Sequence, residues 1–246
     1  MTLLRLNDVS RRFGGVVAVD GVGFSIESRE IVGLMGANGA GKTTLFSLIA
    51  GNLRPSAGEI RLDDRRIDRL RPDQISCLGV ARTFQIVRPF AGLTVLENVA
   101  IGALFGGSRE KSMARANADA MEVLEEVGLA DRAGYYAGSL NLSGRKRLEI
   151  ARALATNPKL LMLDEVMAGL TPTEGADAVA MIRRLYEARN LTVIVVEHVM
   201  GILMELCPRI VVLHHGALIA EGSPQEVAND TRVIDSYLGS RQGTRT

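Results

Sequence analysis

The sequence predicts an α/β fold: a parallel core, an antiparallel β-subdomain at its N-terminal side, and an α-helical subdomain inserted into the chain. Three observations predict it. The first third alternates short Val- and Ile-rich runs with Gly and Asp turns. From about Val87 to Pro158 the apolar spacing becomes helical. From Lys159 onward strands and helices alternate, which implies a parallel sheet with its chemistry at the carboxyl ends of the strands.

The elements follow in order. "LLRLNDVS", "VVAVDGVGFSI" and "EIRLDDRRI" read as antiparallel strands. "EIVGLMG" is a buried strand running into a glycine-rich turn, and "KTTLFSLIAG" is a helix that ends at Gly51. "TVLENVAIGALF" and "REKSMARANADAMEVLEEVG" carry helical spacing, the second ending at Gly128. Ser143 opens a further helix that Asn157-Pro158 stops. There follow a strand "KLLMLDE", a helix from about Glu174 to Ala188, a strand "LTVIVVEH" and a helix "VMGILMELC". The hairpin-like "RIVVLHHGALIAEG", one short helix from Gln225 to Leu238 and a mobile tail "GSRQGTRT" close the chain. The expected organisation is one domain over 1–246. Within it, 1–86 and 158–226 form the core with its β-subdomain, 87–157 the helical subdomain, and 227–246 the C-terminal helix and tail.

Bulk composition narrows the function. The chain has 246 residues, 47% hydrophobic, enough for a substantial core. Its net charge of +1 argues against a protein built to coat nucleic acid. Cys77 and Cys207 lie in no motif and read as two reduced core thiols. No signal peptide opens the sequence, and no apolar run approaches the roughly 20 residues that span a bilayer. The expected location is the cytosol.

The strongest local signal is "GANGAGKTT", residues 36–44, which fits G-x-x-x-x-G-K-[ST] between a strand and a helix. Gly36, Gly39 and Gly41, with Asn38 and Ala40 between them, let successive main-chain N–H groups curl around a phosphate. The helix beginning at Lys42 aims its positive end at the same anion. Lys42 would reach the β- and γ-phosphates, and Thr43, beside Thr44, would offer its hydroxyl to Mg²⁺. "KLLMLDE" ends an apolar strand in two carboxylates. Asp164 would hold Mg²⁺ through water. Glu165, on the opposite side by strand alternation, would polarise an attacking water. The plainer alternative is a strand end capped with acids.

Single residues gain interest by position. Gln85, in "ARTFQ", would touch Mg²⁺ and the attacking water, and His198, at a strand end, would reach the γ-phosphate; a lone residue of either type is more often a structural or solvated side chain. Phe13, at a Gly-Gly turn, either stacks on adenine or packs in the core. In "NLSGRKRLEI", Ser143-Gly144 reads as an N-cap with exposed N–H groups, an anion site in search of an anion. The alternative is a plain cap on a solvated basic helix, with Arg145, Lys146 and Arg147 mostly surface charge. "IVRPFAGL" places apolar residues beside Arg88, so Phe90 and Leu93 either dock a partner or pack the insert's own core.

Phe13, "GANGAGKTT", Gln85, "LSGRKR", "LLMLDE", "AGLTP" and His198 occur in the order and spacing of the ABC transporter ATPase subunit. The chain resembles that family from about Leu3 to Gly239. Within it, "ARTFQIVRPFAGLTVLENV", "LDEVMAGLTPTE", "VVEHVMG" and "IAEGSPQEVANDTRVIDSYLG" resemble the branched-chain (hydrophobic) amino acid import ATPases of the LivG/LivF type, and the first block is closer to LivG. The resemblance implies a P-loop NTPase (RecA-like) core and Mg-dependent ATP hydrolysis. It implies an ATP-sandwich dimer in which Ser143-Gly144 of one copy closes on the nucleotide held by residues 36–44 of another. The implied partners are transmembrane permease subunits, a second ABC ATPase (self or sister chain) and, indirectly, a periplasmic or extracellular binding protein. The implied location is the inner face of the cell membrane. Against the usual L-S-G-G-Q, Arg145 and Lys146 replace the second Gly and the Gln. Val166 stands where proline usually follows the Glu, and Arg29 and Ala37 fill positions often held by Gly and Pro. Competing readings are import of urea, amides or aromatic acids, lipopolysaccharide export, a soluble ATPase of translation or DNA repair, and a nucleotide-gated assembly module.

Overall fold

The computed structural model describes residues 1–83, 89–106, 112–197 and 200–238. Gln85, the 86–88 part of "IVRPFAGL", His198 and the 239–246 tail lie outside the described residues. In chain order the elements are β1 (Thr2–Phe13), β2 (Val16–Glu27), β3 (Ile31–Met35), α1 (Lys42–Ile49), β4 (Ala57–Leu62), β5 (Arg65–Arg66), α2 (Pro72–Cys77) and β6 (Val80–Arg82). The helices α3 (Val95–Phe105), α4 (Met113–Glu126) and α5 (Leu142–Leu154) follow, then β7 (Leu160–Asp164), α6 (Pro172–Arg189) and β8 (Thr192–Val196). The chain continues through α7 (Met200–Leu206), β9 (Arg209–His214), β10 (Ala217–Gly222), α8 (Pro224–Asn229) and α9 (Thr231–Leu238). Contacts divide it into two compact units: residues 1–27, 31–69 and from 195 onward, and residues 28–30 and 70–194.

The first unit holds an antiparallel sheet in the order β2-β1-β4-β5. Leu4, Leu6, Val9, Val22 and Ile26 alternate inward and are buried, as expected of a sheet covered on one face. In the same unit β3 pairs parallel with β9, Leu34 opposite Val211, and β9 pairs antiparallel with β10. All five residues of β3 are buried, the pattern of a strand covered on both faces. Leu45, Phe46, Leu48 and Ile49 of α1 are fully buried. They fix the direction of that helix and so of the loop that precedes it.

In the second unit β6 pairs parallel with β7, Arg82 opposite Met162. The insert is helical, with α3 packed against both α4 and α5. Asn98 of α3 is fully buried and braces the preceding loop. Its Oδ1 accepts from Phe90 N at 2.9 Å, and its Nδ2 donates to Phe90 O at 3.1 Å and Thr94 O at 2.9 Å.

The structure departs from the expected elements in places. α2 was not anticipated; it is short and carries little periodicity. The single terminal helix is two, α8 and α9, because Asp230 is extended (φ −71°, ψ 118°). Its carboxylate accepts the Arg232 N–H at 2.8 Å and so restarts the helix. Cys207 is a buried thiol, pushed up to about 12 by burial, whereas Cys77 is only half-buried. Among the described residues no helix is long and apolar enough to cross a membrane.

Candidate nucleotide site

The glycine-rich loop of the first unit leaves β3 and enters α1. A Cβ on Gly36 would stand 2.4 Å from Leu213 O and 2.8 Å from Ala40 Cβ. Gly41 has φ +101°, and its Cβ would stand 2.4 Å from Ala18 O. No other residue fits either place. The loop is backed from behind: Gly216 N donates to Ala40 O at 3.0 Å, and Asp20 N donates to Gly216 O at 2.8 Å. Asn38 and Gly39 are exposed, Ala40 is buried, and Thr43 is exposed beside half-buried Thr44. Lys42 is buried against the loop it would serve, its Nζ donating to Gly36 O at 2.5 Å and Ala37 O at 3.1 Å. Gly41 is the N-cap and supplies no side-chain acceptor. No N-cap side chain therefore occupies the positive end of the helix. This cradle fits a phosphate.

Phe13, in the same unit, is 43% exposed and so is not a core residue. The Arg11 guanidinium lies 4.6 Å from its ring centroid, and Arg11 is anchored by donating to Arg54 O at 2.8 Å.

In the second unit Asp164 ends β7 and is buried. Arg82 Nη2 donates to its Oδ2 at 2.8 Å, and Thr83 Oγ1 accepts from its N–H at 3.0 Å. A buried carboxylate is tolerated because it is paired. Glu165 is also buried, but the strand has already ended. Its φ is +51°, so strand alternation does not set its direction as the sequence reading assumed. The Glu165 carbonyl accepts from Lys146 Nζ at 2.9 Å and from Ala168 N at 3.2 Å.

The start of α5 also differs from expectation. The N-cap is Asn141, not Ser143: Asn141 is extended (φ −67°, ψ 176°), and its Oδ1 accepts from Gly144 N at 2.8 Å. Ser143 is the second residue of the helix, and Gly144 N–H is already satisfied. Of the basic run only Lys146 is buried; Arg145 is exposed and Arg147 half-buried. Arg145 donates to Gly138 O at 3.0 Å, Lys146 is buried on Glu165 O, and Arg147 donates to Val127 O at 3.1 Å. A polar cavity of about 440 Å³ opens beside this helix start, lined by Asp131, Arg132, Asn141, Ser143 and Arg147. Phe90 is half-exposed with the Arg152 guanidinium 4.9 Å from its ring centroid, so it is not simply core of the insert.

Three residues escaped the sequence reading. Arg82 lies on β6, and its partner Asp164 is too distant in sequence to show the pairing. Asn141 was hidden by the adjacent "LSG". Lys146 was findable: it precedes the buried Ile150 and Leu154 by four and eight residues, on the inward face of α5.

A glycine cradle after a buried strand, together with a strand that ends in carboxylates, defines a P-loop nucleotide-binding protein. The ABC transporter family matches residues 19–168, and the branched-chain amino acid ATP-binding cassette transporter family matches residues 217–242. The chain belongs to the ABC transporter family as an ATP-binding cassette. It is 40% identical to the high-affinity branched-chain amino acid transport ATP-binding protein LivG of Salmonella typhimurium, over 96% of this chain and 98% of that one. Its structure superposes with a TM-score of 0.88 on the ADP conformation of MJ1267, an ATP-binding cassette of an ABC transporter, at 31% identity and over 97% and 99% of the two chains. It superposes with a TM-score of 0.80 on a dimeric post-hydrolysis state of the cassette MJ0796 bound to ADP and Pi, at 26% identity and over 90% and 99%. The chain is an ATP-binding cassette ATPase of a transporter.

Proposed function

We propose that this chain is the ATP-hydrolysing motor of an importer of branched-chain or related hydrophobic amino acids, docked on the inner face of the membrane and fed by an extracytoplasmic binding protein. The observation that carries the cargo is the likeness to LivG over almost the whole of both chains. The C-terminal match to the branched-chain family supports it.

In this reading residues 36–44 hold the phosphates, with Lys42 supplying the positive charge, and Phe13 stacks on adenine with Arg11 behind it. Thr43, Gln85 and Asp164 would hold Mg²⁺. These are oxygen donors with a single carboxylate, a set suited to an ion that keeps several waters and nucleotide oxygens. The ion would offset phosphate charge. Glu165 orients the attacking water and His198 contacts the γ-phosphate. Catalysis is positioning and charge stabilisation, with no covalent intermediate on the protein. The start of α5 closes on the nucleotide of the second cassette. Ser143 and Gly144 are the proposed closing residues, beside the cap in which Asn141 Oδ1 accepts from Gly144 N. The core, the helical subdomain over 87–157 and the C-terminal segment over 227–246 remain the proposed functional division, with the insert, Phe90 included, facing the permease.

Uptake of labelled leucine, isoleucine and valine by cells lacking this chain tests the cargo. Wild type should restore uptake and Glu165→Gln should not. Undiminished uptake of all three in the deletion strain overturns the cargo. Wild-type ATP hydrolysis by purified Glu165→Gln overturns the assignment of Glu165.

A further inference from the structure

We propose that Lys146 is a positioning residue that ties the direction of the Glu165 carboxylate to the N-terminal turns of α5. The inference rests on the reading of Glu165 as the group that orients the attacking water, and deepens it.

Lys146 is 6% exposed, unusual for an ammonium, which is rarely buried without a partner. Its Nζ donates to the main-chain carbonyl of Glu165 at 2.9 Å. That carbonyl belongs to a residue at φ +51°, a region L-residues seldom occupy and hold only when their surroundings over-determine it. Ala168 N donates to the same oxygen at 3.2 Å, closing the turn after β7. The same two segments also lie close at Gly169, where an added Cβ would stand 3.1 Å from Cδ2 of Leu142, the first residue of α5. The turn over 165–169 therefore lies beside the start of α5 and is tied to it at Glu165 by Lys146.

A lysine whose only task was to carry surface charge would extend into water. Here its ammonium reaches a carbonyl whose orientation sets the peptide plane after Glu165, and through it the backbone angle from which the carboxylate projects. Movement of the α5 N-terminus, where the second cassette's nucleotide is expected, then moves Glu165. Hydrolysis competence becomes coupled to closure by one charged hydrogen bond to a main-chain carbonyl.

The test compares Lys146→Met, Lys146→Arg, Glu165→Gln and the wild type. In steady-state ATP hydrolysis Lys146→Met should lower kcat by roughly 10- to 100-fold. Its KM should change by less than about two-fold, the mark of an interaction that matters after binding. Lys146→Arg, which keeps a charged donor, should recover most of the loss. ATP-driven dimerisation of the Lys146→Met, Glu165→Gln double variant, followed by light scattering, should match that of Glu165→Gln alone. Hydrogen exchange at the Ala168 amide should accelerate in Lys146→Met, a reading independent of turnover. If Lys146→Met does not fold, Lys146→Gln takes its place with the same readings. Wild-type turnover, unchanged exchange at Ala168, or a loss of ATP affinity and dimerisation along with kcat each overturns the inference. Only active Glu165→Gln overturns the reading beneath it.

Discussion

Gly41 and Glu165 both stand at positive φ, for opposite reasons. At Gly41 (φ +101°) the main chain of β2 leaves no room for a side chain, and the conformation itself excludes one. At Glu165 (φ +51°) a side chain is present, and the backbone bears a cost of about 1–2 kcal/mol. The first is a constraint of shape, the second a strain held at a functional position. Gly41→Ala should lose about 2 kcal/mol or more in urea unfolding and most of its affinity for ATP in a fluorescent-nucleotide titration. Phe13→Ala should behave differently. The ring is half in solvent, so stability should scarcely change, while the Kd for ATP should rise by about 10-fold through lost stacking. An unchanged Kd would return Phe13 to a structural role. The phosphate loop was legible because its chemistry is local: adjacent glycines, a lysine and a threonine act within one turn. The burial of Lys146 could be read from the spacing of α5, but its partner could not, because that lies nineteen residues on.

Helix boundaries are set by caps, and the start of α5 shows how a local pattern misleads. "LSG" attracts the eye as a serine cap, but Asn141 Oδ1 already accepts from Gly144 N, three residues on. An asparagine in that place satisfies the same donor as well as a serine would. Asn141→Ala should therefore cost about 1 kcal/mol in denaturant unfolding, and Ser143→Ala close to nothing; the reverse order would restore the serine cap. Capping also writes a pH dependence into the fold. Capping boxes open α3, α6 and α8, with Glu97, Glu174 and Glu226 accepting from Thr94, Thr171 and Ser223. Main-chain N–H donors, then the hydroxyls, hold these three carboxyls below their ordinary 4.5. Asp230, at the break between α8 and α9, is lowered to about 2 by its hydrogen bond to Arg232. A carboxyl lowered in the folded state contributes stability that is complete above its unfolded value and is lost as pH falls through the folded one. Melting temperature should thus decline from about pH 4.5 downward. The decline should be shallower in Thr171→Ala, which removes one such bond; an equal slope would show that these caps do not carry it.

At the scale of the whole molecule, the order of motifs along the chain disclosed more than any one motif, because a family likeness accumulates over distance while chance matches do not. What it could not disclose was whether the second cassette is a copy of this chain or a sister. In a closed two-fold pair, each patch of one chain meets a different patch of its twin, so defects in the two patches segregate by site. Lys42→Ala removes the charge that serves the phosphates. Ser143→Asp leaves α5 intact, since an acid in the first turn favours a helix, but it sets a negative charge where a nucleotide should dock. Each variant alone should be inactive, with two damaged sites per pair. Mixed in equal amounts, half of the pairs combine the two variants and hold one wholly intact site beside one doubly damaged site. If the sites fire independently, ATP hydrolysis should return to about a quarter of the wild-type rate. A site built from one chain alone cannot be rescued by mixing. Absence of rescue would therefore exclude a pair of identical chains sharing their nucleotides and would direct the start of α5 to a sister cassette, whose addition to Lys42→Ala or Ser143→Asp becomes the complementing experiment.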